Sequence, residues 1–486
     1  MKADLVIKNG YVCTEGGILT GGLAVKDGII IQVGADNMLP EAERVYDAKR
    51  NIIFPGAIEP HCHLELWVVN KDKKFNLETY REEVRSETRT AAQGGYTTIS
   101  STTMQNADSL HKRFKEFKEG MDGVAFCDVR FHISPFTEEH LKEIPDMVHI
   151  GVSNYKFLMG YRGEGAKALG MDERGIDSTF IYKGFETIAR VGRSAVAMVH
   201  CEDPQVFELL EKRVKSEHEP KDYNFTDAQN RARPAIAEVI DVCKSAYIAH
   251  ETGCPLYIVH VSAKESVDQI KYFKEMGYDI TAETCPHYLV FATEDDICRN
   301  NRQWTHYAKV NPAIRNRSDR ERLWKGLQEG TIQTIGNDHT NFRPFEKMEG
   351  GYWDIPPGTG DGMSASLSIM ISEGVNKNRI SLDTLRKVMS ENVAKAMGLY
   401  PRKGTLNVGS DGDIVILDLN KEWTFRQHYS ESSHKFSLYD GMKLKGAPVA
   451  TFVRGNLVAE NFRIVSDRAV GQFAGNPFPA RSSQNN

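Results

Sequence analysis

The chain has 486 residues, 40% hydrophobic and 26% charged, a balance typical of a globular protein with room for one large domain and a small one. A formal net charge of -5 and a pI near 6.3 leave no basic footprint for nucleic acid, and no apolar run reaches the ~20 residues that span a bilayer. The eight cysteines are scattered without a CxxC pair, and the opening Met1-Lys2-Ala3-Asp4-Leu5 lacks the apolar segment of a secretory signal, so a cytoplasmic protein with reduced thiols is expected.

The first 54 residues read as short strands at 4–7, 22–25 and 29–33, with Lys26-Asp27-Gly28 as a turn. An apolar run, Ile52-Ile53-Phe54-Pro55-Gly56-Ala57-Ile58, then leads into Glu59-Pro60-His61-Cys62-His63. Beyond it strand alternates with helix. Strand candidates lie at 96–103, 125–134, 152–159, 195–201, 255–262, 279–285 and 331–337, and helical periodicity marks 77–93, 235–251 and 263–276. With the run ending at His63 this makes eight units, which argues for an α/β chain built on a (β/α)8 TIM barrel with its active site at the C-terminal ends of the strands. A doubly wound open sheet would carry a glycine-rich phosphate loop after its first strand, and none is present. Strand character returns at 413–418 and 448–453, so the two ends of the chain are expected to pair into one smaller β-sandwich, each being too small for its own core. The domain plan is 1–54 and 405–464 for the two parts of the sandwich, 55–404 for the barrel, and 465–486 for a polar tail expected to be mobile.

On a strand, alternate side chains share a face, so His61 and His63 point one way and Cys62 the other. Two neutral imidazoles on one face suit a divalent transition metal such as zinc. Alone the pair is weak evidence. Its weight comes from further candidate ligands at other strand ends: Lys156 in Asn154-Tyr155-Lys156-Phe157, His200 in Met198-Val199-His200, His260 in Val259-His260-Val261, and Asp338 in Gly336-Asn337-Asp338. Each taken singly reads as an ordinary core or turn residue. Together, at five strand ends, they read as a metal centre.

With these residues the chain resembles the amidohydrolase superfamily, and within it the cyclic amidohydrolases, the hydantoinases and dihydropyrimidinases. The resemblance runs over nearly the whole length. It covers Leu5-Val6-Ile7-Lys8-Asn9-Gly10, Pro55-Gly56 through His61-Cys62-His63-Leu64-Glu65, and Gly94-Gly95-Tyr96-Thr97-Thr98. It continues in Thr284-Cys285-Pro286-His287-Tyr288, Asn337-Asp338-His339, Asp411-Gly412-Asp413 and Ser437-Leu438-Tyr439-Asp440-Gly441. It implies a hydrolase that opens a cyclic amide at C–N in a hydantoin or dihydropyrimidine-type ring, using a hydroxide that bridges two divalent metals. Carried over residue by residue, His61, His63 and Asp338 would hold the more buried ion, and His200 and His260 the more exposed one. Lys156, carbamylated by CO2, would bridge both. Zinc is implied first, with manganese or iron as alternatives. Asp338 would take the proton of the attacking hydroxide and pass it to the leaving ring nitrogen, while Tyr161 would hydrogen-bond the developing oxyanion. The resemblance further implies a homotetramer acting on a small molecule, with neither nucleic acid nor membrane as partner.

The substrate is less closely drawn. Dihydroorotases follow the HxH with an arginine that binds the substrate carboxylate, whereas this chain has Leu64-Glu65-Leu66-Trp67. Asn311, in Lys309-Val310-Asn311-Pro312, stands where typical hydantoinases carry serine and is expected to meet the substrate amide through its backbone. Pro357, in Ile355-Pro356-Pro357-Gly358, replaces an asparagine and can offer only its carbonyl. Trp67 lies in a loop expected to shape the pocket for the exocyclic group. A ring of the dihydroorotate, allantoin, ureide or purine-derived kind is the alternative. A non-enzymatic dihydropyrimidinase-related scaffold is disfavoured, because all six ligand positions are filled. His132, His287 and His339 read as packing residues or as partners of ligands rather than as ligands.

Overall fold

The computed structural model describes residues 2–66, 75–103, 109–192, 195–217 and 224–475. Trp67 lies outside the described residues. Eight parallel strands form the central barrel: Ala57–His63, Tyr96–Thr103, Asp128–Ile133, Asn154–Leu158, Val196–His200, Leu256–Ile258, Ile280–Thr284, and a last strand in two pieces, Thr334–Ile335 and His339–Thr340. The first of those pieces pairs with the seventh strand, Glu283 opposite Thr334. The second pairs with the first strand, His339 opposite Cys62. The eighth strand therefore breaks at Gly336-Asn337-Asp338 and still closes the barrel, with the Asp338 N–H donating to the His61 carbonyl over 3.1 Å. Helices cover the outside, so the strands are buried on both faces. The helix Leu77–Gln93 shows how. The Asn76 side chain caps it by accepting from the Thr79 N–H, and Tyr80, Val84, Glu87 and Ala91 bury one face at helical spacing.

The two ends of the chain meet in a second sheet of nine strands. Ile52–Pro55 joins its halves, pairing in parallel with Ala3–Thr14 and antiparallel with Ile414–Thr424. The sheet curls over a core that includes Leu5, Val25, Ile53, Ile414 and Phe452. Its curl brings Tyr46, on the strand Ala42–Asp47 that pairs with Ala3–Thr14, against the ring of Phe452, with centroids 5.1 Å apart. The apolar run 52–63 is thus two strands in two sheets, divided at Gly56. The Gly56 N–H donates to the Asp413 carbonyl at 2.9 Å, and a Cβ there would lie 2.1 Å from the Thr97 hydroxyl. Sheet and barrel are latched by one buried ammonium, Lys403, which lies 2.6, 2.9 and 2.6 Å from Asp128, Asp411 and Asp413. Together these carboxylates raise the Lys403 pKa despite its burial.

The segment after Ile464 differs from the mobile tail expected of its composition. Third and fourth barrel strands pair only at Ile133 and Tyr155, and Phe473 takes the place beside Val129. The Val129 N–H donates to the Gln472 carbonyl at 2.9 Å, and the Ala474 N–H to the Val129 carbonyl at 2.8 Å. The Phe473 ring stacks on Phe131 at 5.7 Å, and Ala474 is buried in the core at the foot of the barrel. Residues 476–486 lie outside the described residues.

Candidate metal centre and active site

His61, His63, Lys156, His200, His260 and Asp338 all line one cavity of about 330 Å³ at the C-terminal ends of the barrel strands. His61 and His63 come from the end of the first strand, as period-two alternation requires, while Cys62 points away and donates to the Ser100 carbonyl. Nε2 of His61 and of His63 lie 3.5 and 3.4 Å from Asp338 Oδ1, so three donor atoms converge on one point. Lys156 Nζ is 2.9 Å from His61 Nε2, and His200 Nδ1 is 2.9 Å from His260 Nε2.

Two of these residues are held in left-handed backbone conformations rare for their type, His260 at φ 40° and Asp338 at φ 49°. The surrounding structure fixes both. Glu283 accepts the His260 N–H at 3.1 Å, and the Thr359 hydroxyl donates to the Asp338 carbonyl at 2.9 Å. Glu59, two residues before His61, accepts the N–H groups of His61 and Asn337 at 2.9 and 3.0 Å and also the Asn337 side-chain amide. One carboxylate thus ties the first strand to the break in the eighth.

Behind the imidazoles stand carboxylates that the sequence reading does not single out. Glu65 lies 2.6 Å from His63 Nδ1, Glu283 3.4 Å from His61 Nδ1, and Glu202 3.2 Å from His200 Nε2. Each leaves the other ring nitrogen facing the cavity, which fixes the orientation of a metal-binding imidazole. A signal was present for two of them: His-x-Glu occurs at the end of both the first and the fifth strand, as His63-Leu64-Glu65 and His200-Cys201-Glu202. Glu202 is itself anchored by Arg233 at 2.7 Å.

The electrostatics favour neutral donors. Burial holds His61 and His260 well below the ordinary imidazole value, with the Lys156 charge adding to the effect at His61 and the neighbouring His200 at His260. Burial also lowers His200 against the pull of Glu202. His63 goes the other way. Burial lowers it, but Glu65 and Asp338 together raise it to about 9. Burial brings Lys156 down to about 8, Asp338 and Glu283 opposing, so its neutral amine is far more accessible than that of an ordinary lysine. His260 Nδ1 is buried without a hydrogen-bond partner among the described residues. Imidazoles, a carboxylate and an amine converging in a buried pocket, one nitrogen left unmatched, form a donor set that fits divalent metal.

Tyr161 and Asn311 line the same cavity, as does Pro357 beside Pro356 and Gly358. The Tyr161 ring lies 5.9 Å from that of His200, and burial raises its hydroxyl to about 12, so the phenol stays protonated. The Asn311 Oδ1 accepts from the Gln229 side chain at 2.9 Å, a partner the sequence does not signal. Leu66, Leu158, Leu169 and Phe342 make the remaining wall largely apolar. Three other histidines stay out of the cavity. His132 meets the Thr102 hydroxyl at 2.7 Å, and His287 is buried with neither nitrogen hydrogen-bonded. His339 lies 3.0 Å from Glu87 and accepts the Gly362 N–H through Nδ1.

Known proteins resemble this chain along nearly its whole length. The profile of the Amidohydrolase family matches residues 52–458. An L-hydantoinase from Paenarthrobacter aurescens is 33% identical over 475 residues, 97% of either chain. A D-hydantoinase from Ralstonia pickettii is 30% identical over 97% of this chain and 98% of its own. The solved structure of an L-hydantoinase (dihydropyrimidinase) from Arthrobacter aurescens superposes with a TM-score of 0.86 at 31% identity, covering 97% of this chain and 100% of that one.

Proposed function

The chain belongs to the amidohydrolase family and is a metal-dependent hydrolase of cyclic amides, and we propose that it opens hydantoin or dihydropyrimidine-type rings at C–N in the cavity lined by His61, Tyr161 and Pro357. The observation that carries this reading is the convergence of six donor side chains on one pocket whose other walls are mostly apolar. His61, His63 and Asp338 would hold one ion and His200 and His260 a second, with zinc the metal best suited to these nitrogen and oxygen donors. Lys156 would join them as a carbamate. Its neutral amine would add to CO2, an N–C bond forming as one C–O π bond opens onto oxygen, and the N–H proton passing to water. When bound, the two ions supply Lewis acidity that polarises the scissile carbonyl and brings the pKa of a water toward about 7.

The chain's own residues do the rest. Asp338 accepts the proton of the attacking water and returns it to the ring nitrogen as the C–N bond breaks. Tyr161 donates its O–H to the carbonyl oxygen as charge develops there. Asn311 and Pro357 flank the ring amide. Among the described residues no arginine lines the cavity, so a substrate carboxylate finds no bidentate partner. The apolar wall instead favours a neutral ring with an apolar substituent.

The same proposal includes a catalytic unit at 55–404 carried by a sheet from 1–54 and 405–464, a cytoplasmic location and a homotetramer. Support for contact between copies comes from Ile236, Ile240 and Tyr247, exposed in line on the helix Ala235–Thr252, with Tyr272 and Met276 exposed next to them. The test is metal content per chain, on protein purified without chelator, alongside hydrolysis of hydantoin, 5-phenylhydantoin and dihydrouracil. Close to two ions with ring opening is the expected result. Metal-free, inert protein that cannot be reconstituted would overturn the reading.

A further inference from the structure

Two buried lysines that the reaction does not use stand behind the wall of the cavity. Lys347 Nζ donates to the carbonyls of Lys309, Pro356 and Gly358 at 2.9, 3.0 and 2.9 Å. Lys309 Nζ donates to those of Tyr352, Trp353 and Ile355 at 2.9, 3.0 and 2.7 Å. Three acceptors around each nitrogen match the three N–H groups of an ammonium. Neither lysine forms an ion pair with a carboxylate among the described residues. Buried lysines are ordinarily paired with an acid, so placing two against backbone carbonyls is costly, and burial accordingly pushes Lys309 down to about 8 and Lys347 well below the usual lysine value.

What the two ammonium groups hold together is specific. One partner of Lys347 belongs to the segment leading to Asn311, and the other two flank Pro357. The Gly358 N–H donates to the Lys309 carbonyl at 2.8 Å and closes the same junction. Lys309 gathers the preceding stretch of the loop, where Tyr352 stacks on Phe225 at 4.6 Å. Asn311 and Pro357 both line the cavity. Lys347 takes the carbonyls on either side of Pro357, and that of Pro357 itself accepts no hydrogen bond among the described residues. Pro357 has no N–H, so this carbonyl is the one backbone group it can offer to a ring N–H.

We propose that Lys347 and Lys309 form a two-ammonium clamp that sets the spacing between the Asn311 and Pro357 sides of the cavity, and through that spacing selects the size of the ring accepted. The ring-size part rests on the cyclic-amide reading above. The clamp itself does not. Both lysines are positioning residues. They act through backbone carbonyls on groups that meet the substrate.

The test uses the full-length, metal-loaded protein and its variants Lys347→Met and Lys309→Met, which keep the aliphatic stem and remove the ammonium. Backbone hydrogen exchange is followed in a peptide covering residues 352–360 and in one covering the second barrel strand. Exchange in the first should rise about tenfold or more, the scale of a lost charge-assisted hydrogen bond, with the second unchanged. The kcat/KM ratio for hydantoin over dihydrouracil should shift by about fivefold or more, chiefly in KM, at unchanged metal content. Unchanged exchange at 352–360 overturns the clamp. Equal losses on both rings overturn ring-size selection. Wild-type protein that opens neither ring overturns the proposed function and ring-size selection with it, while the exchange result still decides the clamp. If Lys347→Met does not fold, Lys309→Met decides alone through its effect at Tyr352 to Ile355.

Discussion

The Gln229 side-chain amide donates to Asn311 Oδ1 over 2.9 Å. Gln229 lies on the helix Phe225–Ala232, and Asn311 lines the cavity. With one lone pair of its oxygen engaged and its orientation fixed, the Asn311 side chain keeps both N–H donors for a substrate, which suits a ring carbonyl. Gln229→Leu frees this amide to rotate. The KM for hydantoin should rise about 3- to 10-fold, the worth of one neutral hydrogen bond, with kcat within about twofold. Steady-state kinetics checks it, and an unchanged KM would mean that Asn311 meets the ring through its backbone alone.

Tyr161 stays protonated because burial raises it to about 12, so it can donate throughout the working pH range. Tyr161→Phe keeps the ring and removes the donor. A fall in kcat of about 10²- to 10³-fold with little change in KM is expected if the hydroxyl acts on the developing oxyanion. A rise in KM at constant kcat would instead assign it to ground-state binding.

Glu65 holds His63 Nδ1 at 2.6 Å and so aims Nε2 into the cavity. Glu65→Gln keeps the shape and removes the charge. Partners of this kind are worth about 10- to 100-fold in metal affinity. The variant should release metal to a competing chelator at correspondingly lower chelator concentration, measured as ions retained per chain. Retention equal to wild type would make Glu65 a packing residue.

Asp241 is a buried carboxyl on the helix Ala235–Thr252, raised to about 6 by burial despite the Lys244 ammonium 2.5 Å away. An acid with a raised folded pKa binds its proton more tightly in the folded chain. Its contribution is fully present below the ordinary value of 3.8 and is lost as the pH rises through about 6. Asp241→Asn should therefore gain stability at pH 7.5, by at most about 3 kcal/mol, and the gain should shrink toward pH 4. Urea unfolding at the two pH values checks the sign, and a variant less stable than wild type at pH 7.5 would show that the Lys244 pair outweighs the burial.

Five of the six donors are legible in the sequence because each sits at or beside an apolar strand end, where alternation or strand termination aims it at one mouth of the barrel, and Lys156, in the middle of Asn154–Leu158, stands out as a charge between Tyr155 and Phe157. The number of barrel strands is legible for the same reason. Contacts that join distant segments are not. Gln229 reaches Asn311 across 82 positions, and Glu283 reaches His61 across 222. Nothing local marks either. Where within 52–63 one sheet gives way to the other is marked by Gly56, whose N–H donates to the distant Asp413 carbonyl. Composition misleads at residues 471–474, where order comes from hydrogen bonds to Val129 rather than from a run of apolar side chains.

Those residues also set a schedule. The chain is made from Val129 toward Phe473, so the gap between the third and fourth barrel strands stays unfilled until residue 473 has emerged from the ribosome. The eighth strand can close the ring of strands earlier, but the foot of the barrel lacks Ala474 until then. A chain interrupted after residue 464 would carry every candidate metal ligand and still expose an unpaired strand edge at Val129.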